Sequence, residues 1–486
     1  MIETGADKYE AVIGLEVHAQ LLTRSKLFSG DSAEFGADPN THISPITLGY
    51  PGTLPKLNKE AVSFAIKIGI ACGCEIEGVN YFARKNYFYP DLPKGYQLTQ
   101  HTTPICKRGT VHIRTADGDR NVQLNRIHLE EDAGKSIHDL DPAFTCVDYN
   151  RAGVPLIEIV SEPDLYSGEE AYAYLTELRK LVRYLGICDG NMEEGSMRCD
   201  ANVSIRLKGD LQLGTKVEVK NLNSIRNVKR AIEYEIKRMI ELAENGERII
   251  QQTRSYDAAR DTTFSMRSKE EANDYRYFPD PDLPPFIVTQ SMVDDIRATL
   301  PALPEELISK YMNELHLSEY DARALTDDKD TVDFFETLIT LTPHVKAAAN
   351  WLLGPVRSYT NEKGIALSQF EVPADKLASL IGLVQDGIVN FSIASTRIFP
   401  VLVSEPASEP AEIASRLNLV QESDAGSIEQ WVNDVLNKMP DKVLEYKNGK
   451  KGLIGLFMGE VKKISGGKAD PRVTTQLLTE KLSRKD

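Results

Sequence analysis

Three short clusters hold the side chains of this 486-residue sequence best suited to chemistry. Gly14-Leu15-Glu16-Val17-His18 sets an imidazole two residues after a carboxylate. His128-Leu129-Glu130-Glu131-Asp132-Ala133-Gly134-Lys135-Ser136 packs three carboxylates, a histidine and a lysine into nine residues. The third cluster runs from Met192 through Glu193, Glu194, Arg198 and Asp200 to Asn202. Carboxylates and imidazoles within reach of one another can hold a divalent cation or move a proton. A solvated surface also collects acids, so the clusters matter only if the fold turns them toward one place.

The elements that would do so are legible as periodicity. Between Tyr9 and Leu21, Ile13, Leu15, Val17 and Ala19 alternate with Gly14, Glu16, His18 and Gln20, which predicts a half-buried strand. Its period of two places Glu16 and His18 side by side. Arg198, Asp200, Asn202, Ser204 and Arg206 alternate with Cys199, Ala201, Val203, Ile205 and Leu207. After a turn region at Gly209 to Gly214, Lys216, Glu218 and Lys220 alternate with Val217 and Val219. This predicts a hairpin with one apolar face and one of mixed charge, either a surface sheet or the floor of a site for metal and anionic substrate.

Val122 to Leu129 predicts a strand leading into the second cluster, and Pro155 to Val160 a compact apolar strand carrying Glu158. Gly134-Lys135-Ser136 resembles the end of a P-loop, but the first glycine of that motif would fall at Leu129, so Lys135 can act only as a point charge. A short helix is expected over Ala61 to Cys72. Ser167 and Glu170 predict a capping box heading a helix whose apolar stripe runs from Leu175 to Leu185, and a second long helix spans Ser224 to Asn245. From Ala83 to Tyr96, Arg84, Lys85 and Lys94 interleave with Tyr87, Phe88 and Tyr89. Such a stretch suits a stacked base and its phosphates, or a packed loop.

Length implies about three domains. The extended Asp274 to Pro285 closes the first, residues 294 to 400 read as mainly helical, and Glu405 to Glu412 reads as a hinge, giving boundaries of 1–293, 294–408 and 409–486. With 41% hydrophobic and 27% charged residues the composition is that of a soluble globular protein. No apolar run approaches a membrane span and the first ten residues resemble no signal peptide, so a cytosolic protein without a membrane partner is expected. Six cysteines in such a protein are expected to be free, although Cys72 and Cys74 could form half a zinc site. The net charge of −15 argues against general coating of nucleic acid, DNA included. From Asp441 onward, however, nine Lys and two Arg face six acids, a local excess of +5 suited to phosphates.

Taken together, Ile13 to His18, Arg84 to Asp91, His128 to Lys135, Met192 to Asn202 and Asp274 to Pro285 resemble the B-subunit family of the aspartyl/glutamyl-tRNA amidotransferases. Lys447 to Lys451 and Gly466 to Pro471 resemble that family's tail. The resemblance implies an α+β fold: a cradle-like catalytic domain of the glutamine synthetase type with a mostly antiparallel sheet, then helical and tail domains. It implies a heterotrimer with a glutaminase A subunit and a small C subunit. It also implies ATP-dependent phosphorylation of the side-chain carboxylate of Glu-tRNA(Gln) or Asp-tRNA(Asn), followed by displacement with ammonia.

Phosphoryl transfer needs cations to offset developing charge, and Mg2+ prefers carboxylate oxygens. On that reading Glu16, His18, Glu131 and Glu218 are the expected metal ligands, with Glu130 and Glu194 beside them, and two ions roughly 4 Å apart are plausible. Arg198, Lys85, Lys135 and Lys220 would meet phosphate oxygens. Lys447, Lys450, Lys451, Lys462, Lys463 and Lys468 would contact tRNA. An RNA-binding scaffold would explain the basic tail but not strands that aim Glu and His at one face. A different metal-dependent ATP-using ligase would explain the acids equally well. Deleting the residues after about 410 is expected to weaken tRNA binding and flatten its dependence on salt, as a filter-binding titration at several ionic strengths would show. Unchanged affinity would count against a tail contact.

Overall fold

The computed structural model describes residues 8–266, 275–420, 425–466 and 468–483, so Asp274 and Gly467 of the motifs above lie outside the described residues. The chain divides into two compact units, one through Leu303 and one from Pro304.

The first unit is built on a large, mostly antiparallel sheet. Its principal strands are β1 (Tyr9–Gln20), β2 (Ala83–Asn86), β3 (Tyr96–Thr99), β4 (Gly118–Glu131), β5 (Pro155–Ser161), β6 (Met197–Leu207), β7 (Val217–Leu222), β8 (Thr253–Asp257), β9 (Thr262–Ser265) and β10 (Arg276–Pro279). They lie in the order β9-β8-β7-β6-β1-β5-β4-β3-β2-β10. Only β7 and β8 in this series pair in parallel. The predicted hairpin is therefore present as β6 and β7, and the predicted extended segment at 274–285 supplies the strand β10. Strand β1 sits in the middle, paired antiparallel with β5 and with β6.

One face of this sheet is the core. Ile13, Leu15 and Val17 of β1, Ile127 and Leu129 of β4, Ile157 and Ile159 of β5, and Ala201 and Val203 of β6 are all buried in it. Helices α1 (Lys59–Ala71), α2 (Gly168–Tyr184), α3 (Ile225–Glu244) and α4 (Gln290–Ala298) belong to this unit. Leu175 and Leu178 of α2 and Val228 and Ala231 of α3 join the same core. Helix α4 packs on α1, which carries the first unit beyond residue 293.

Both long helices start as the sequence indicates, since Ser167 accepts from the Glu170 amide and Ser224 from the Asn227 amide. The reciprocal half of the capping box differs from expectation. The Glu170 carboxylate accepts from the Tyr166 amide, one residue before the cap, and from Arg120, whose guanidinium draws it outward.

The second unit is helical. Its helices Pro304–Asn313, Lys329–Leu341 and Val345–Trp351 agree with the mainly helical reading of residues 294 to 400, and the last continues into a π-helical turn at Leu352–Val356. The expected hinge at 405–412 is shorter than its prolines suggest. Pro410 begins the helix Pro410–Arg416, where a missing amide hydrogen costs nothing, and that helix packs on Ala374–Gln385. A small separate core formed by Ile428, Val432, Phe457, Val461 and Leu478 holds the four tail helices Ala425–Lys438, Pro440–Lys447, Ile454–Ile464 and Pro471–Ser483. No helix among the described residues is long and apolar enough to cross a membrane.

A buried ion network fixes α3 to the sheet. Glu235, fully buried, accepts from Arg254 Nε of β8 at 2.9 Å, from Arg238 at 2.6 Å and from the Thr263 hydroxyl of β9. Removing one partner of such a network leaves uncompensated buried charge, which typically costs about 3–5 kcal/mol. Glu235→Leu is therefore expected to destabilise the first unit by about that amount, read as a lower urea midpoint.

Candidate active site on the polar face of the sheet

The face opposite the core collects the groups that stand out in the sequence. Antiparallel register sets Glu16 opposite Asp200 and His18 opposite Arg198 on one side, and His18 opposite Glu158 on the other. Glu158 in turn lies opposite His128 of β4, and Asn202 opposite Glu218 of β7. Directly paired residues share a face. A row of ionisable side chains therefore crosses five strands.

At the centre, His18 Nε2 lies 3.6 Å from Glu130 and 3.5 Å from Glu158. His128 Nε2, buried behind them, lies 3.2 Å from Glu158 and 3.8 Å from Glu130. Ligand atoms of His18, Glu130 and Glu158 fall within 4.8 Å of one another, the one such metal-capable group among the described residues. Burial disfavours charge on both imidazoles, but hydrogen bonding and attraction from Glu130 and Glu158 outweigh it. The His18 pKa is raised, and that of His128 climbs to about 9. Conversely, the two histidines overcome burial to hold Glu158 below the usual carboxylate range. His128 Nδ1 is buried without a hydrogen-bond partner.

Toward β7, Asn202 donates to Glu16 at 2.9 Å, and burial followed by repulsion from Glu158 raises the Glu16 pKa. Lys220 donates to Asp200 at 2.7 Å and lies 3.0 Å from Glu218, which also accepts from Thr253. A β-bulge with Asn221 in the left-handed region, φ 64°, precedes the turn away from this pairing. At the end of β1, buried Asp132 accepts from Arg198 at 2.9 Å and from Gln20 at 2.7 Å. Burial opposes its ionisation, but Arg198 and Arg151 keep its pKa low.

Toward β10, Thr99 reaches Glu130 at 3.4 Å, and the register runs from Gln97 to Lys85 to Tyr277. The Lys85 ammonium stands 4.7 Å from the Tyr275 ring centre, and Tyr277 stacks on His101 at 4.0 Å. The aromatic stretch is thus an open strip continuing the polar face, with Tyr275 and Phe88 exposed.

The expected residues are therefore divided. Glu16, His18, Glu130, Arg198, Lys85, Glu218 and Lys220 share the face. Glu131 does not, because strand alternation turns it to the other side. There Lys94 holds it at 2.5 and 2.7 Å and the Leu98 amide at 2.9 Å, beside a cavity of about 200 Å3 lined by Phe28, Tyr96 and Lys26. Glu194 lies exposed in the turn before β6, its amide bonded to Asn191, and Lys135 is exposed on a separate two-stranded ribbon opposite Asp148. Glu158 joins the metal-capable group, and His128 stands behind it, although sequence reasoning does not place either there. The lone acid Glu158 within the apolar run Pro155 to Val160 is the signal that could have found it.

Among the tail lysines, Lys447, Lys450, Lys451, Lys462 and Lys463 are exposed and Lys468 is half-buried. Lys450 pairs with Glu445 at 3.0 Å, and Lys451 lies 4.3 Å from the Tyr446 ring centre. All six cysteines are free. Burial pushes Cys74 up to about 12 and raises Cys72 and Cys106 further, so these are inert thiols.

Residues 11–294 match the family described as the GatB/GatE catalytic domain, and residues 333–482 match the GatB domain. The chain is 49% identical over 474 residues to the B subunit of the aspartyl/glutamyl-tRNA(Asn/Gln) amidotransferase of Nitratidesulfovibrio vulgaris (strain DP4), covering 98% of this chain and 99% of that protein. The B subunit of the same name from Thermodesulfovibrio yellowstonii is 48% identical, covering 97% and 98%. That of Trichodesmium erythraeum is 47% identical, covering 98% of both chains. The chain belongs to the B-subunit family of these amidotransferases.

His128 stands behind the two carboxylates and does not belong to the three-residue group. Losing such a partner typically weakens metal binding about 10–100-fold. His128→Leu is expected to lower affinity for Mn2+ by that factor, with His18→Ala and Glu158→Gln removing tight binding altogether, as followed by the EPR signal of free Mn2+. Unaltered titrations for all three variants would exclude a metal at this point.

Proposed function

We propose that this chain is the carboxylate-activating subunit of a tRNA-dependent amidotransferase. It would work in the cytosol with a glutaminase A subunit and a small C subunit on Glu-tRNA(Gln), Asp-tRNA(Asn) or both. The observation that carries the reading is the row of acids, histidines and cations across β7, β6, β1, β5 and β4, within a chain that is about half identical to proteins bearing that name. In this reading the sheet face is the floor of a glutamine synthetase-type cradle.

A carboxylate is a poor electrophile, so amidation needs two steps. An oxygen of the aminoacyl side-chain carboxylate attacks the γ-phosphorus of ATP, the bond to the β-phosphate oxygen breaks, and ADP leaves with the electron pair. Ammonia then attacks the carbonyl carbon of the acyl phosphate, phosphate departs, and the nitrogen loses a proton to give the amide. Both steps concentrate negative charge, and fixed cations lower that cost.

Lys85 and Lys220 flank the acid row from opposite sides, and Arg198 faces it from beside His18. We assign them to phosphate oxygens. His18, Glu130 and Glu158 form a donor set of two carboxylates and an imidazole suited to a hard divalent ion, with Glu16 and Glu218 farther along the same acid row. Mg2+ bound there would supply charge neutralisation for ATP. His128, through its contacts to Glu130 and Glu158, orients both carboxylates. The exposed tail lysines are assigned to the tRNA backbone.

The test is a reconstituted trimer. ATP consumption should require both mischarged tRNA and an ammonia source, and Glu130→Gln should lower amidation by at least about 100-fold while the partner's glutaminase activity persists. Near-normal amidation by Glu130→Gln would overturn the site. ATP use independent of mischarged tRNA would overturn the function.

A further inference from the structure

We propose that Asp132, braced by Gln20, is a positioning residue that fixes the Arg198 guanidinium relative to Glu130, an inference that rests on the reading above that this face activates a carboxylate with ATP. Asp132 follows the last residue of β4, and its backbone stays paired. Its amide donates to the Val154 carbonyl at 2.8 Å, and its carbonyl accepts from the Gly153 amide at 2.9 Å. The side chain is buried. One carboxylate oxygen accepts from Arg198 Nη2 at 2.9 Å and the other from Gln20 Nε2 at 2.7 Å.

Each partner stands two residues beyond a member of the metal-capable group. Gln20 follows His18 along β1, and Asp132 follows Glu130 along β4, so the contact between Gln20 and Asp132 is the next rung after that between His18 and Glu130. Two residues of extended chain span about 7 Å, and this rigid step sets the distance from Glu130 to the anchor of Arg198. Leu156 of β5 lies opposite both Gln20 and Glu130 in register and is buried, so an apolar side chain underlies the rungs.

The balance of charge singles out Arg198 among the cations of the face. Lys220 meets two carboxylates, Asp200 and Glu218, which more than neutralise it. Asp132 instead faces two guanidinium groups, Arg198 and, at 3.5 Å, Arg151. Arg151 is committed to the turn, donating to the Ala133 carbonyl at 3.0 Å and the Gly134 carbonyl at 2.8 Å. Among the described residues Arg198 donates to Asp132 alone, through Nη2, and its side chain is 37% exposed. Its Nε and Nη1 hydrogens are left for an anion arriving on the polar face. A buried ion pair adds little stability over an apolar pair of the same shape, so what this one supplies is the direction of the guanidinium.

The experiment is a double-mutant cycle in the reconstituted trimer with Asp132→Asn, Arg198→Ala and the two combined, on mischarged tRNA with an ammonium salt as nitrogen source. Asp132 also lines the cavity beside Lys94, and free ammonia keeps delivery from the partner out of the measurement. Asp132→Asn is expected to lower kcat about 10–100-fold, as loss of an orienting partner typically does, with KM for ATP and for tRNA within about twofold of the parent. In the Arg198→Ala background the same substitution should cost less than about twofold, because its effect passes through the guanidinium. Should Asp132→Asn fail to fold, Gln20→Leu frees the other carboxylate oxygen and carries the same expectation in both backgrounds. Equal losses in the two backgrounds would overturn the proposal by reducing Asp132 to a structural role, as would a normal kcat in folded Asp132→Asn. A loss seen with glutamine but not with the ammonium salt would overturn it in favour of a role in the Lys94 cavity. A parent trimer that consumes no ATP on mischarged tRNA would bring down the function itself, a failure distinct from additive losses in an active parent.

Discussion

The register of β1 against β5 and β6 is the constraint on which the rest depends. Side chains alternate across a strand, so a slip of one residue would exchange Ile13, Leu15 and Val17 with Gly14, Glu16 and His18. The first three are fully buried in the core, and an ionised group forced into their place without a partner carries a penalty of roughly several kcal/mol. The apolar face therefore enforces the polar one. Because β1 pairs on both sides, its register also fixes where Arg198, Asp200 and Glu158 stand, and through β5 the position of His128. Groups far apart in the chain become neighbours through hydrogen-bond pairing alone.

Holding so many carboxylates together has an electrostatic consequence. Glu16 is pushed up first by burial, then by Glu158, Asp200 and Glu218, whereas Glu158 is held down by two histidines. The internal cations do not serve all acids evenly. His18 and His128 share Glu130 and Glu158, and Lys220 serves Asp200 and Glu218. Glu16 is served by the neutral amide of Asn202. Carboxylates perturbed in opposite directions on one face mark a candidate functional site rather than a sheet surface solvated for its own sake.

Much of this was legible in the sequence because alternation is a local signal. Tyr9 to Leu21, Arg198 to Leu207 and Lys216 to Lys220 each announce which residues share a face, and the family resemblance carried by these motifs agrees with the matches over most of the chain. What was not legible was the phase of a strand with no clean alternation. His128-Leu129-Glu130-Glu131 places two acids in succession, and composition does not say which faces inward. Glu158 stands as an oddity in an apolar strand, and only its pairing with His18 and His128 gives it a role. Lys135 lies on a separate two-stranded ribbon and Glu194 in the turn before β6, so proximity in sequence did not become proximity in space. Tertiary packing likewise decided the end of the first unit, since nothing local in Gln290–Ala298 says that it docks on α1.

The His128 to Ser136 stretch shows how one strand can serve two environments. Glu130 meets His18 and Thr99 on the polar face, and Glu131, one residue on, meets Lys94 beside a cavity on the core side. The backbone between them is pinned from both directions. The Glu131 carbonyl accepts from Gln97, its carboxylate accepts from the Leu98 amide, and Thr99 pairs directly opposite Glu130. A shift of Lys94 or of β3 must therefore move Glu131, and a rigid strand end cannot move Glu131 without disturbing Glu130. The two carboxylates are adjacent not because one site needs both, but because a pleated strand is the shortest rigid link between opposite faces of a sheet.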